Sequence, residues 1–399
     1  MFLSLKGSLN TKFPRFKGIL DIYAGAAAAY SLRRLSKVAS SVVRVRRSSD
    51  NDEKDFTAAD VSSGAMTDWV GSAEWDDDAS SDSTSNWETV DSTISHSVDK
   101  YVLTYTATTQ WAILNTGPNL INNNPITISV DVKNGTSGNA AVYLGASNIG
   151  TGNQTLGQIG TTSDSWQTLT ATFNATSSAF NKPSIRFDMT SGTVEFKNFS
   201  ISQTGDGFVE TWYDQSGNGN DATQGTAGSQ PKIVDAGVLV SGGIDFDGTD
   251  DFLSLAAFSS GSISQPFSMF VAAKSNASDA NQKIVSGISS IFIGTSPSFD
   301  GRYNIRGGGT IIEGSTTSDT NYHILTALFN TTDELFLDGS SELSGDSGSS
   351  SLSTLHLGQQ DNGFNQFDGI IGELIIYPSD QSANREAIEA NINNQYDIY

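Results

Sequence analysis

From Ala73 to about Gln203 the chain is a succession of short alternating apolar–polar runs separated by Ser, Thr, Asn and Gly. In ITISVDV the alternation is complete. Ile126, Ile128, Val130 and Val132 fall on one face of an extended strand, and Thr127, Ser129 and Asp131 on the other. YVLTYTA (101–107), QWAILNT (110–116), AAVYLGA (140–146), WQTLTATF (166–173), SIRFDMT (184–190) and VEFKNFSIS (194–202) read as further strands. Short strands at this spacing predict a β-sandwich or jelly roll. A second β-rich region follows Gly205 and closes in SDQSANREAIEANINNQY, where Ile388, Ile392 and Tyr396 form one helical stripe. Ala28, Leu32, Leu35 and Ala39 also recur at helical spacing and predict a short amphipathic helix over 25–38. A weaker pattern around Ala65, Trp69 and Val70 predicts a second within 57–71.

The turn signals fit this reading. Asp247-Gly248 and Asp338-Gly339 each follow alternating apolar positions, and Asp-Gly favours the positive-φ turns of hairpins. DQSGNGND (214–221) is a polar segment dense in turn formers. Of the 44 acidic residues, 33 are Asp and 11 are Glu, which also argues for many turns and few helices.

Charge changes the picture. Residues 1–47 carry +9, and the remaining residues −31, giving the net −22. An acidic body argues against nucleic-acid binding by counterion release. Absence of Cys excludes disulfide scaffolds, iron–sulfur clusters and a Cys nucleophile. Three His residues leave little for a histidine metal site. The apolar stretch Gly18–Leu32 is interrupted by Asp21 and is shorter than the roughly 20 residues of a spanning helix, so no membrane span is expected. Arg44 and Arg46 alternate with Val43 and Val45, which favours pairing within the fold over a partner. Lys6, Lys12, Arg15 and Lys17 make no core pattern. Residues 1–17 are expected to form an extended basic arm that docks on a neighbouring subunit.

The order FDGTDDFL, PFSMFVAAK, NYHILTALFN, ELFLDG, LHLG and FDGIIGELIIYP, then a closing helix, resembles a concanavalin-A-like or laminin-G-like lectin domain. AAAAYSLRRL (26–35), VVRVRRSSDN (42–51) and FVETWYDQSGNGNDATQ (208–224) look like the arabinofuranosidase-B-like type of that domain, as also found in bacteriophage virion and tail-fibre proteins. The resemblance covers about residues 18–72 and 204–399. It implies a discontinuous β-sandwich interrupted by residues 73–203. ITISVDVKN, SDSWQTLTATFNATSS and VEFKNFSIS make the inserted segment similar to a carbohydrate-binding module of the jelly-roll type. The fold class is therefore all-β: a concanavalin-A-like sandwich with an inserted jelly roll and few short helices.

Retaining glycosidases use two carboxyls about 5–5.5 Å apart. The resemblance places the family's acid at Asp361, in LGQQDNGFNQFDG. The family's nucleophile segment matches residues 272–300, which hold no Glu; Asp279 and Asp300 are its only acids and neither stands in a matching context. The chain is therefore expected not to be an enzyme, with an arabinofuranosidase-like hydrolase as the alternative. Sugar binding needs flat aromatic faces and polar groups for hydroxyls. Trp111, Tyr213, Asp214, Asp361 and Asn362 are the candidates. Trp166 is expected in the core, and Trp111, on the face of Ile113, reads as core or as sugar platform. No cofactor is expected, with calcium as an alternative for Asp214, Asn218, Asn220 and Asp221, since such a loop offers several oxygens. The resulting expectation is a virion structural or adhesion protein, made in the host cytoplasm and carried on the particle surface. Its partners would be other virion subunits, further copies of itself and host-surface polysaccharide. The alternative is a structural decoration protein that binds no sugar.

Overall fold

The computed structural model describes residues 17–49, 51–71, 75–107, 110–114, 125–148, 152–155, 158–174, 182–203, 205–277, 281–288, 290–296 and 301–399. The expected basic arm, apart from Lys17, lies outside these residues. The protein is all-β, with antiparallel sheets and four α-helices among the described residues. It folds as two compact units. One comprises residues 1–43, 211–229 and 242–399, the other residues 44–210 and 230–241.

In the second unit, strand Pro125–Asn134 lies between Gln167–Asn174 and Thr193–Gln203, and the sheet continues through Lys100–Tyr105 to Ser92–Ser97. A second sheet runs Gly152–Thr155, Ala141–Asn148, Lys182–Asp188, Gln110–Leu114, Trp87–Val90. The chain crosses repeatedly between these sheets, which is jelly-roll connectivity. Period-two alternation sends Ile126, Ile128, Val130 and Val132 inward, where they share one core with Val142, Leu144, Ile185 and Phe187 of the other sheet. Trp87 meets Phe196 and Phe199 edge-on, at centroid distances of 5.2 and 5.0 Å.

Trp166 does not enter this core, contrary to the sequence expectation. It stands one residue before its strand begins, so strand alternation does not govern it. The ring is half-buried, with the Lys197 ammonium 4.7 Å from its centroid.

The helical pattern within 57–71 forms Ala58–Ser63 and Ala65–Gly71. Thr57 caps the first through a reciprocal pair with Asp60. The arginines of Val43–Arg47 are paired locally: Arg44 donates to Asp55 at 2.7 Å, Arg46 to Gln230 at 2.6 Å, and Arg47 lies over the Trp69 ring.

The first unit has two antiparallel strand runs. One is Ala28–Ser31, Asp368–Tyr377, Phe267–Ser275, Tyr322–Phe329, Asp333–Leu337, Ser340–Gly345. The other is Ala222–Thr223, Leu253–Leu255, Leu355–Leu357, Lys283–Gly287, Ile291–Ser296, Arg302–Gly307, Ile312–Thr317. Phe270, Ala272, Ile324 and Ile375 of the first run are covered by Ile388 and Ile392 of helix Arg385–Tyr396 and by Ile19 and Leu20.

The helix expected over 25–38 is replaced by strand Ala28–Ser31, which pairs with Ile376–Glu373. Ala28, Ala29 and Tyr30 are fully buried. The alanines are small because the strand is covered on both faces, and their helical spacing is incidental. Gln215 replaces helical hydrogen bonds further on, accepting from Leu35 N at 2.7 Å and donating to the carbonyls of Ser31 and Arg33.

The two Asp-Gly signals part company. Leu337 pairs with Ser340 across Asp338-Gly339, whose φ values are 50° and 78°, as a tight primed hairpin turn requires. At Asp247-Gly248 only the glycine has positive φ, and the flanking strands pair elsewhere, Ile244–Asp247 with 368–371 and Leu253–Leu255 with Leu355–Leu357.

Candidate functional site

The loop 214–221 is built by its own side chains. Asp214 Oδ1 accepts from Ala29 N (2.9 Å) and Ser216 N (2.8 Å); Oδ2 accepts from Ser216 Oγ (2.6 Å) and Asn220 N (3.1 Å). Asp221 Oδ1 accepts from Asp214 N (2.8 Å). Asn218 donates to the carbonyls of Ala26 and Ala27. Asn220 donates to Ala27 O and accepts from Ser259 N. The Asp214 carboxylate oxygens considered for calcium thus already serve as turn acceptors. Burial raises the Asp221 carboxyl above its ordinary range, partly opposed by the Asp214 N–H and reinforced by the Asp214 charge. Tyr213 beside this loop is half-buried, its N–H bonded to Val42 O at 3.0 Å.

Asp361 and Asn362 lie in the turn before the last strand. Gln360 N donates to Phe364 O and Gly363 N to Gln360 O, both at 2.9 Å, while Phe364 N donates to Asn362 Oδ1. Among the described residues, the Asp361 carboxylate takes no hydrogen bond. Asp279 and Asp300, the acids of the segment matched to the family nucleophile, lie outside the described residues.

Trp111 falls in a row whose other members its sequence context does not reveal. In the sheet that contains it, Tyr143 pairs with Arg186, Arg186 with Trp111 and Trp111 with Val90. The adjacent positions Val142, Phe187, Ile185 and Ala112 are buried in the core, so alternation puts Tyr143 and Arg186 on the opposite face. Arg186 donates twice to Asp188, Nε to Oδ1 and Nη2 to Oδ2, each at 2.8 Å. This fork holds the guanidinium 4.3 Å from the centroid of the Tyr143 ring. The hydrogen bond from Arg186, against a smaller opposing effect of burial, holds the Asp188 carboxyl below its ordinary range. In the next row Ser184 is fully buried, and among the described residues its Oγ has no hydrogen-bond partner. The row therefore offers the Tyr143 ring and a fixed cation and anion.

Sequence reasoning missed two polar clusters in the first unit. Asp247, Asp250 and Asp251 bring carboxylate oxygens within 4.8 Å of one another. Burial, with the charges of Asp247, Asp250 and Asp245, pushes Asp251 up to about 7, although the Asp247 N–H on Asp251 Oδ2 opposes this. His323 is held between Asp319 and Asp338. Its repeated Asp neighbours are close in sequence at 319 but distant at 338, so only half of the arrangement was within reach of a local reading.

No family model matches the chain, and no curated protein matches it. Among solved structures, the tandem CBM22-1–CBM22-2 domains of Paenibacillus barcinonensis Xyn10C are similar over 76% of this chain and 96% of theirs, at 10% identity and a TM-score of 0.26. Domain 4 of AbnA, a Geobacillus stearothermophilus extracellular arabinanase solved with arabinotriose, matches 39% of this chain and 74% of its own, at 16% identity and a TM-score of 0.28. The enzymatically active domain of tailspike protein 4 of bacteriophage CBA120 matches 30% of this chain and 20% of its own, at 10% identity and a TM-score of 0.22. At these scores the likenesses say nothing of what this chain binds.

Proposed function

We propose that this chain is a non-enzymatic virion structural or adhesion protein that binds host-surface polysaccharide. The sugar-binding part of the reading is carried by the cross-strand pair Tyr143–Arg186 with Asp188. A flat ring takes the C–H face of a sugar, and the Arg186–Asp188 pair presents fixed donors and acceptors to its hydroxyls. The pair is set by the fold before any ligand arrives, which lowers the ordering cost of binding. The virion part is supported by the resemblance of residues 26–35, 42–51 and 208–224 to phage virion proteins. Single sites of this kind are weak, and several copies on one particle supply avidity. The basic arm of residues 1–17 would dock each copy on a neighbouring subunit.

The test is retention of the assembled protein on a glycan array and on host cells. Arg186→Ala should reduce retention, because it removes the cation and frees Asp188. Equal retention by the variant, or none by the intact protein, counts against the reading. The glycosidase alternative predicts release of arabinose from para-nitrophenyl arabinofuranoside and its loss in Asp361→Asn. No turnover over long incubation eliminates that alternative.

A further inference from the structure

Strand Gln167–Asn174 is an edge of its sheet. It pairs with Pro125–Asn134 along its whole length in unbroken register, and among the described residues no strand pairs with its other side. Period two divides it cleanly. Leu169, Ala171 and Phe173 turn toward the core, and Thr168, Thr170 and Thr172 are exposed on the outer face. A free edge is a row of backbone donors and acceptors ready for another strand, and proteins commonly block it with charge, proline or a bulge. The strands that end the two runs of the first unit are blocked in this way. Ser340–Gly345 carries Glu342 at a register shift, and Ile312–Thr317 carries Glu313 beside another. Gln167–Asn174 has no charge, no proline and no bulge.

The threonine hydroxyls decide what suits this edge. Thr168 Oγ1 donates to Asp131 Oδ1 at 2.6 Å, so its proton is committed and only lone pairs remain. Thr172 shares a hydrogen bond with Thr127 at 2.9 Å, and Thr170 with Ser129 at 3.1 Å. Either hydroxyl of each pair can donate, and with Thr127 and Ser129 donating, Thr172 and Thr170 keep free protons. One end of the strand then presents an acceptor and the other a donor. A twofold axis perpendicular to the sheet, through Thr170, runs the same strand of a second copy antiparallel to the first. It sets Thr168 opposite Thr172 at both ends, with Thr170 opposite its own copy. Residues 167–173 pair in this register. Directly opposite residues share a face, so each threonine meets a threonine and Leu169 meets Ala171. Moving the axis to Ala171 would leave Thr168 opposite Asn174.

We infer that Gln167–Asn174 is the interface through which two copies of this chain join, edge to edge, into one continuous antiparallel sheet. The occupant is a second copy because the strand's acceptor end and donor end are completed by its own reversal. An uncharged edge also sets no charge against itself, in a chain of net charge −22. A one-strand contact is smaller than a standard interface, so the pairing is weak and reversible. Dimerisation doubles the number of Tyr143–Arg186 faces in one assembly, but the interface does not depend on their binding sugar.

The experiment is sedimentation velocity of the full chain over a concentration series. It compares the parent with Thr170→Lys, which sets two like charges opposite one another, and with Thr93→Lys as control. Thr93 is exposed on Ser92–Ser97, the opposite edge of the same sheet. The parent should show a concentration-dependent dimer, Thr93→Lys should match it, and Thr170→Lys should weaken association about tenfold. Register is read separately. The chain has no Cys, and the pairing puts the two Thr170 Cα atoms about 4.5–5.5 Å apart, within reach of a disulfide. In a glutathione redox buffer the Thr170→Cys protein should form a covalent dimer and the Thr93→Cys protein should not. The inference is overturned by a parent that stays monomeric at high-micromolar concentration, or by two Lys variants that associate alike. Cross-linking of Thr170→Cys no faster than that of Thr93→Cys overturns it as well.

Discussion

His323 Nδ1 lies 2.7 Å from Asp338 Oδ2, while Nε2 of the same ring lies 2.9 Å from Asp319 Oδ1. A neutral imidazole has one N–H; two carboxylate partners call for the imidazolium. Burial lowers its pKa, but the hydrogen bonds and charges of Asp338 and Asp319 outweigh that and raise it above the ordinary value. Asp338 also occupies the hairpin turn and accepts from Ile324 N at 2.9 Å, so the imidazolium fastens that turn to the start of strand Tyr322–Phe329.

The folded pKa of His323 is raised, so its stabilisation is complete below about 6.5, the unfolded value, and is lost as pH rises through the folded one. His323→Gln should cost about 1–3 kcal/mol at pH 6 and progressively less at higher pH. Denaturant unfolding across pH 5.5–9 checks this. A pH-independent difference between the two proteins would be inconsistent with the clamp.

Asp251 behaves in the opposite sense. Its carboxyl is raised to about 7, well above the unfolded value of about 3.9. Its ionisation therefore opposes folding, and stability falls between these two pH values. Asp251→Asn keeps an acceptor for Asp247 N and removes the charge. The variant should melt higher than the parent at pH 8 and equal to it at pH 4, by calorimetry.

Lys283 is 97% buried without a carboxylate partner among the described residues, held by carbonyl oxygens and the Phe292 ring 4.4 Å away. Burial lowers its pKa to about 8. Relative to Lys283→Met, the parent should gain stability as pH rises from about 8 to about 10.4, where the unfolded lysine also loses its proton. A constant difference across that range contradicts the assignment.

Val98 is 85% exposed with φ of 57°, in the two-residue turn that joins Ser97 to Lys100. A β-branched residue is strained there, and Gly is favoured at the first position of such a turn. Val98→Gly should stabilise the protein by about 1 kcal/mol. By contrast Phe196→Ala, at the centre of the aromatic core of that unit, should cost about 3–5 kcal/mol. Both are read from urea midpoints.

The strands between residues 100 and 203 were legible because period two is a local property: Ile126–Val132 announces its own inner face. Asp338-Gly339 was legible for the same reason, since the turn needs only its own two φ values. Ala28–Ser31 was misread because what makes it a strand is Ile376–Glu373, more than 340 residues away, with burial on both faces. The Asp214 loop was recognised as a turn, but its donor at Ala29 comes from pairing across the fold. The binding row was legible only in part. Trp111 was noticed, yet Tyr143 and Arg186 join it through strand register alone, and no local pattern in the sequence encodes that register.

The central claim is that the Tyr143–Arg186–Asp188 face binds polysaccharide. The most direct measurement is binding of the full-length protein, assembled as it occurs, to a host-surface polysaccharide array, compared with Arg186→Ala and Tyr143→Ala. Loss of the cation should weaken each contact about tenfold, and avidity should enlarge the difference in retention. Undiminished retention of both variants on the glycans bound by the parent would contradict the account.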